Sequence, residues 1–106
     1  MEAKGVKHDQ GKLRFDLIPV SPLKKVVSVY TMGARKYADR NWEKGLSFSR
    51  CFAALMRHAW DFWTGVDRDP EDGQHPLASV VFYALAMMEF QETHPELDDR
   101  PRRKKK

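Results

Sequence analysis

Pro76-Leu77-Ala78-Ser79-Val80-Val81-Phe82-Tyr83-Ala84-Leu85-Ala86-Met87-Met88-Glu89-Phe90-Gln91-Glu92-Thr93 decides how this chain folds. Leu77, Val80, Val81, Phe82, Ala84, Leu85, Ala86, Met87, Met88 and Phe90 spread around the whole circumference of a helix instead of along one stripe. A helix apolar on every side is central to its fold or buries a second face against another subunit. Two further helices are all that the remaining sequence offers, too few to surround it. The expectation is therefore an oligomer, most simply a two-fold homodimer, otherwise a higher homo-oligomer. Ser79, Tyr83 and Glu89 are the polar interruptions, and a buried Glu89 would need a partner, for which an arginine of the preceding helix suits.

Upstream lies an acidic turn, Gly65-Val66-Asp67-Arg68-Asp69-Pro70-Glu71-Asp72-Gly73-Gln74-His75. Its four carboxylates can ligate Mg²⁺ or Ca²⁺ through oxygen, or form a metal-free turn. The spacing is not that of an EF-hand loop. Asp72 or His75 can cap the helix that follows, with Pro76 in its first turn.

Before the turn, the pattern predicts a helix over about 48–64, capped by Ser47 or Ser49 and stopped by Gly65. Phe48, Phe52, Leu55, Met56, Ala59, Phe62 and Trp63 form its core face. Arg50, Ala54, Arg57 and Asp61 fall in a narrow stripe with His58 at its border. Arg57 and Asp61 can simply pair on the surface. The two arginines in line can equally clamp a phosphate while His58 and Asp61 orient a metal or a water.

Another helix is expected over about 22–38, with Ser21 as its N-cap and Pro22 at its first position. Leu23, Val26, Val27, Tyr30, Ala34 and Tyr37 give it an apolar stripe, interrupted by Gly33. Between these two helices runs Gly33-Ala34-Arg35-Lys36-Tyr37-Ala38-Asp39-Arg40-Asn41-Trp42-Glu43-Lys44-Gly45. Lys36 and Arg40 suit phosphates, Asn41 and Asp39 give directional hydrogen bonds, and Tyr37 and Trp42 offer flat faces for a base. That is the kit of a nucleotide site; a solvated loop whose Trp plugs the core is the plainer alternative.

The N-terminal stretch alternates polar and apolar residues near Leu13–Ile18, as an extended arm lying over the domain would. Lys7, His8, Lys12 and Arg14 would add cations to whatever it covers. At the other end, Arg100, Arg102, Arg103, Lys104, Lys105 and Lys106 carry six of the positive charges. Removing these six from the net charge of +4 leaves −2, so the body of the chain is not a nucleic-acid binder by bulk charge. Residues 1–95 are read as one nucleotide-binding helical domain and 96–106 as a disordered basic tail, capable at most of weak nucleic-acid contact.

The apolar fraction of 42 % argues for a folded domain. Cys51 is the only cysteine, which excludes an intramolecular disulfide and a thiolate metal cluster and fits a reducing cytoplasm. No apolar run reaches membrane-spanning length without a polar break. The fold class expected is all-α: a small bundle of about three helices with an extended N-terminal arm, completed by oligomerisation.

With these residues in view, the chain resembles the N-terminal domain family of phage dATP/dGTP diphosphohydrolases. The matching blocks are Lys7-His8-Asp9-x-Gly11-Lys12-x-Arg14 and Gly33-Ala34-x-Lys36-Tyr37-x-Asp39-Arg40-Asn41-Trp42 with Gly45. Ser49-Arg50, Leu55-x-Arg57-His58, Trp63-x-Gly65 and the Asp-rich turn follow in the same order, so residues 7–90 are covered. Related all-α enzymes of the MazG-like type convert a (d)NTP to the monophosphate and pyrophosphate using Mg²⁺ or Mn²⁺ held by helix-borne carboxylates. Their signature pairs Glu-x-x-Glu with Glu-x-x-Asp on facing helices, whereas the last helix here offers only Glu89 and Glu92.

Two functions follow from the resemblance and the residues together. In the first, Lys36, Arg40, Arg50 and Arg57 hold the phosphates of a small-molecule nucleotide, and Trp42 or Tyr37 stacks its base. Asp61, with Asp67 or Asp69, holds Mg²⁺ or Mn²⁺ that activates water, and His58 assists. In the second, the same cations and rings sequester a nucleotide immune signal for a phage without cleaving it. Either would act in the host cytoplasm if the chain is phage-encoded.

Overall fold

The computed structural model describes residues 4–102 and is all-α among them. Three helices, α1 (Val20–Lys36), α2 (Phe48–Trp63) and α3 (Pro76–Thr93), are joined and followed by short 3₁₀ turns. α3 starts where the sequence places it: His75 caps it, its Nδ1 accepting from the Leu77 amide at 3.0 Å, and Pro76 occupies the first turn. α1 begins two residues earlier than the Ser21-Pro22 signal implies, with Pro19 at the cap position. Pro22 then falls inside the first turn, where a missing N–H costs nothing because those amides have no helical partner.

α3 lies between the other two helices and makes two cores with them. Toward α1, Val26, Val29 and Ala78 are buried with Tyr30 and Phe82 against them. Toward α2, Phe48, Cys51, Ala86 and Phe90 are buried, with Trp42, Tyr83, Met87 and Leu97 packed on them. The small residues Ala78 and Ala86 at these contacts let the helices approach closely. A third face of α3, made of Leu77, Val81, Leu85 and Met88, stands exposed. Glu89 is exposed as well, so the buried partner expected for it is not required.

Both ends of the chain differ from the sequence reading. The arm does not lie over the bundle: residues 4–19 are exposed throughout, including Val6, Leu13, Phe15 and Leu17. A radius of gyration of 18.2 Å, against about 13 Å for a compact chain of this length, reflects that extension. The C-terminal segment does the opposite of what its charge suggests. Pro95–Leu97 form a 3₁₀ turn that delivers Leu97 to the core, and Asp99 reaches the start of α2. Arg103–Lys106, four of the six basic residues of the expected tail 96–106, lie outside the described residues. Among the described residues, no helix is long and apolar enough to cross a membrane.

Candidate functional site

A cleft of about 860 Å³ opens where the end of α1, the loop 38–46, the first turn of α2 and one face of α3 meet. Six aromatic rings line it, with Tyr30 set edge to face against Trp42 and Phe82 and Trp42 tilted against Phe90. Tyr30 lies 4.8 Å from Phe82 and 5.7 Å from Trp42, and Trp42 lies 6.0 Å from Phe90. Tyr37 and Tyr83 complete the lining. Burial raises the pKa of both Tyr30 and Tyr83, so the two phenols stay neutral donors at physiological pH. Arg40, Lys44 and Arg50 bring positive charge to the rim, with Asn41 and Asp39 between them. The volume lies in the range of small-molecule sites, and flat apolar walls with a cationic mouth suit a base joined to phosphates.

The loop that closes this cleft is held by residues far away in sequence. His94 Nε2 lies 2.8 Å from the Glu43 carbonyl, and its Nδ1 is 3.3 Å from Glu96. Two acceptors around one ring favour the imidazolium, so the His94 pKa is raised, first by the carbonyl and then by Glu96. Gly45 has φ 93° and ψ 152°, a conformation open almost only to glycine. A Cβ at this position would crowd the Leu97 and His94 side chains. Arg40 is left-handed at φ 58°, and its guanidinium pairs with Glu43 at 2.9 Å.

The start of α2 is capped by neither serine alone. Ser47 occupies the cap position without a side-chain bond. Asp99 supplies the cap instead, accepting from the Ser49 amide at 2.8 Å and the Ser49 hydroxyl at 2.5 Å. These bonds lower the Asp99 pKa. Arg100 and Arg102 pair with the neighbouring Asp98, and Arg100 stacks over Phe48. Part of the anion seat expected at this helix end is thus taken by the chain's own carboxylate.

A second group of functional side chains gathers at the other end of α2. One donor atom each from His58, Asp61 and Asp69 lies within 4.8 Å of the other two. The local chain path explains the encounter. Val66 N donates to Asp61 O at 2.9 Å and Gly65 N to Phe62 O at 3.1 Å, a Schellman turn made possible by φ 105° at Gly65. The chain therefore doubles back along the last turns of α2. Asp69 then anchors a tight loop, its Oδ1 accepting from Glu71 N at 2.8 Å and its own amide donating to Gln74 O at 2.8 Å. His58 stacks on Tyr83, centroids 6.1 Å apart and planes within 17°. Its Nδ1 is enclosed and meets no hydrogen-bond partner. An enclosed ring nitrogen left unpaired costs about 1–3 kcal/mol, and a cation bound at Nδ1 would remove that cost. One imidazole and two carboxylates make a donor set that fits a divalent ion with coordination positions to spare.

Sequence and structure can now be matched residue by residue. Tyr37, Arg40, Asn41, Trp42 and Arg50 line the cleft as expected. Trp42 both plugs the core and forms the wall, so the two readings of it are not exclusive. Lys36 turns instead over the Tyr37 ring, 5.3 Å from its centroid. Lys7, His8, Lys12 and Arg14 stay with the exposed arm, where Arg14 is engaged by Asp16 at 2.7 Å. Arg57 is exposed, pairs with no acid among the described residues, and does not line the cleft. The in-line clamp of Arg50 and Arg57 is therefore divided, because seven helical positions separate them by about 10 Å along the axis. Asp67 is exposed and outside the triad, while Asp61 and Asp69 belong to it. Glu89 and Glu92 do stand as Glu-x-x-Glu on α3, yet both are exposed and outside the donor group. Tyr30 and Phe82, read as apolar helix positions, and Tyr83, read as a polar interruption of α3, prove to be cleft walls; their aromatic character was the available signal. Nothing in the local sequence marked His94 or Asp99.

The sequence itself places the chain in a known class. The sequence matches the family described as "dATP/dGTP diphosphohydrolase, N-terminal" over residues 2–100, and the chain belongs to that family. It is 32 % identical over 96 residues to a protein of Salmonella phage PMBT28 named dATP/dGTP diphosphohydrolase. That alignment covers 91 % of this chain and 33 % of the phage protein, so the chain spans about a third of its relative's length. No solved structure matches.

Proposed function

We propose that this chain binds a (deoxy)nucleoside triphosphate in the aromatic cleft and takes part in metal-dependent hydrolysis to the monophosphate and pyrophosphate. The observation that carries the reading is the aromatic cleft with its cationic rim in a member of this family, with the His58–Asp61–Asp69 group behind the Tyr83 wall. The purine deoxynucleotides in the relative's name are the first substrates to test. In this mechanism the base lies among Trp42, Tyr37 and Phe82, and Arg40, Lys44 and Arg50 neutralise the phosphates. His58, Asp61 and Asp69 would hold the ion, which when bound polarises a phosphoryl oxygen and lowers the pKa of water. Tyr83 separates the two halves, and its neutral hydroxyl can donate to a phosphate oxygen. The setting proposed is the cytoplasm, where such nucleotides reside, and the host's cytoplasm if the chain is phage-encoded.

A second copy of the chain covers the exposed α3 face in this proposal. Leu77, Val81, Leu85 and Met88 recur at helical spacing on one side, an apolar surface that a soluble monomer rarely leaves bare. Light scattering at micromolar concentration expects a dimer or larger; a monomer overturns that part.

Incubation with dATP, dGTP and other (d)NTPs, with and without Mn²⁺, followed by product analysis tests the hydrolytic reading. Monophosphate and pyrophosphate that appear only with metal support it. One feature favours a sequestering protein instead: Asp39 is the only carboxylate lining the cleft among the described residues. Tight binding of a nucleotide recovered intact under every metal condition would establish that second reading.

A further inference from the structure

We infer that the His58–Asp61–Asp69 group selects a first-row transition ion of the Mn²⁺ class over Mg²⁺, and that His58 makes the choice. The inference rests on the metal centre proposed above and adds its chemistry. Mg²⁺ binds oxygen donors in a strict octahedron and gives up water reluctantly, whereas imidazole nitrogen suits later divalent ions and carboxylate suits Mn²⁺ as well. One nitrogen and two carboxylates therefore favour Mn²⁺, with Co²⁺ and Zn²⁺ binding more tightly still by the usual affinity order.

The geometry is close to what one ion requires. Donors on an octahedral ion with bonds of about 2.1 Å are separated by about 3.0 Å when adjacent, so atoms now within 4.8 Å need only a small closing movement. Two of the three side chains are already fixed. The His58 ring is stacked on Tyr83, and the Asp69 carboxylate is held by the Glu71 amide. Asp61 is exposed on the last turn of α2 and can turn inward. The unpartnered His58 Nδ1 is the independent sign that this imidazole is not serving an ordinary structural bond.

The test titrates the full chain with Mn²⁺ or Mg²⁺ alone, without nucleotide, by calorimetry and by loss of the free-Mn²⁺ electron paramagnetic resonance signal. The expected result is one Mn²⁺ per chain, bound at least tenfold more tightly than Mg²⁺. His58→Gln should weaken Mn²⁺ at least tenfold and change Mg²⁺ by less than threefold, while Asp61→Asn weakens both. Equal affinities for the two ions, or a His58→Gln variant that binds Mn²⁺ as the parent does, would overturn the inference. Should that variant fail to fold, pulsed resonance on the Mn²⁺-loaded parent decides, since a directly bound imidazole nitrogen gives a hyperfine signature and its absence sinks the proposal. Mn²⁺ held through nitrogen with no nucleotide cleavage would refute the hydrolytic function alone. Cleavage with no nitrogen coupling would refute this inference alone.

Discussion

Replacing Gly45 by Ala should disturb the cleft loop more than an alanine at any of the other glycines would disturb its surroundings. A Cβ there would lie 2.6 Å from Leu97 Cδ1 and 3.1 Å from the His94 ring, so the leucine must shift and the ring must give by a few tenths of an ångström. The backbone conformation adds about 1–3 kcal/mol of strain for a residue with a side chain. Displacing Leu97 from its seat against Phe48 and Phe90 brings the total to about 2–4 kcal/mol, by analogy with other overpacked sites. An unfolding entropy of about 0.2 kcal/mol/K for a domain of this size converts that to a melting drop of about 10–20 °C. Gly33→Ala is the control. Gly33 lies inside α1 and its added Cβ meets nothing within 4 Å, so the variant should gain about 0.5–1 kcal/mol from helix propensity. Thermal denaturation by circular dichroism reads both. If Gly45→Ala melts within 2 °C of the parent, the docking of 94–97 on the loop is wrong.

Arg50→Ala should weaken nucleotide binding roughly 10- to 100-fold, the loss of a charge-assisted phosphate contact worth about 1.5–3 kcal/mol, whereas Arg57→Ala should change it by less than threefold; the reverse order in a calorimetric titration would move the phosphate site along α2. Asp99→Asn should lower the melting temperature by about a few degrees at pH 7, since it weakens the only cap that α2 possesses. The Asp99 pKa is depressed in the fold, so its contribution is present above the ordinary carboxylate value and is lost as pH falls through the folded one. The gap between variant and parent should therefore close in strong acid; a gap that persists at pH 2 contradicts the capping role. His94 has the opposite sign. Its pKa is raised, so the charged ring stabilises fully below the unfolded value of about 6.5 and progressively less as pH climbs through the folded value. The stability difference between the parent and His94→Asn, measured from pH 5.5 to 9, should shrink with rising pH, and a flat difference would discount the charge.

What the sequence determined by itself is whatever rests on neighbours within a turn or two. Apolar spacing and the His75-Pro76 start set the helices, the ends of α2 and α3 falling within one residue of their expected places. The cleft loop was legible because its rings, cations and amide sit in thirteen consecutive residues, and a stretch so composed keeps its chemistry wherever it is folded. Tertiary structure decided what depends on distance. Asp99 and Ser49 are fifty residues apart, as His94 and Glu43 nearly are, and no local pattern announces either bond. Charge and proline count made the C-terminal segment look solvated, yet one half-buried leucine packed on the core and one capping carboxylate outweighed them. Asp69 rather than Asp67 joined His58 because the Gly65 turn and the loop wound on Asp69 set which carboxylate faces α2. Arg50 and Arg57, in line on a helical wheel, came to serve different places because a wheel records angle and discards the rise along the axis.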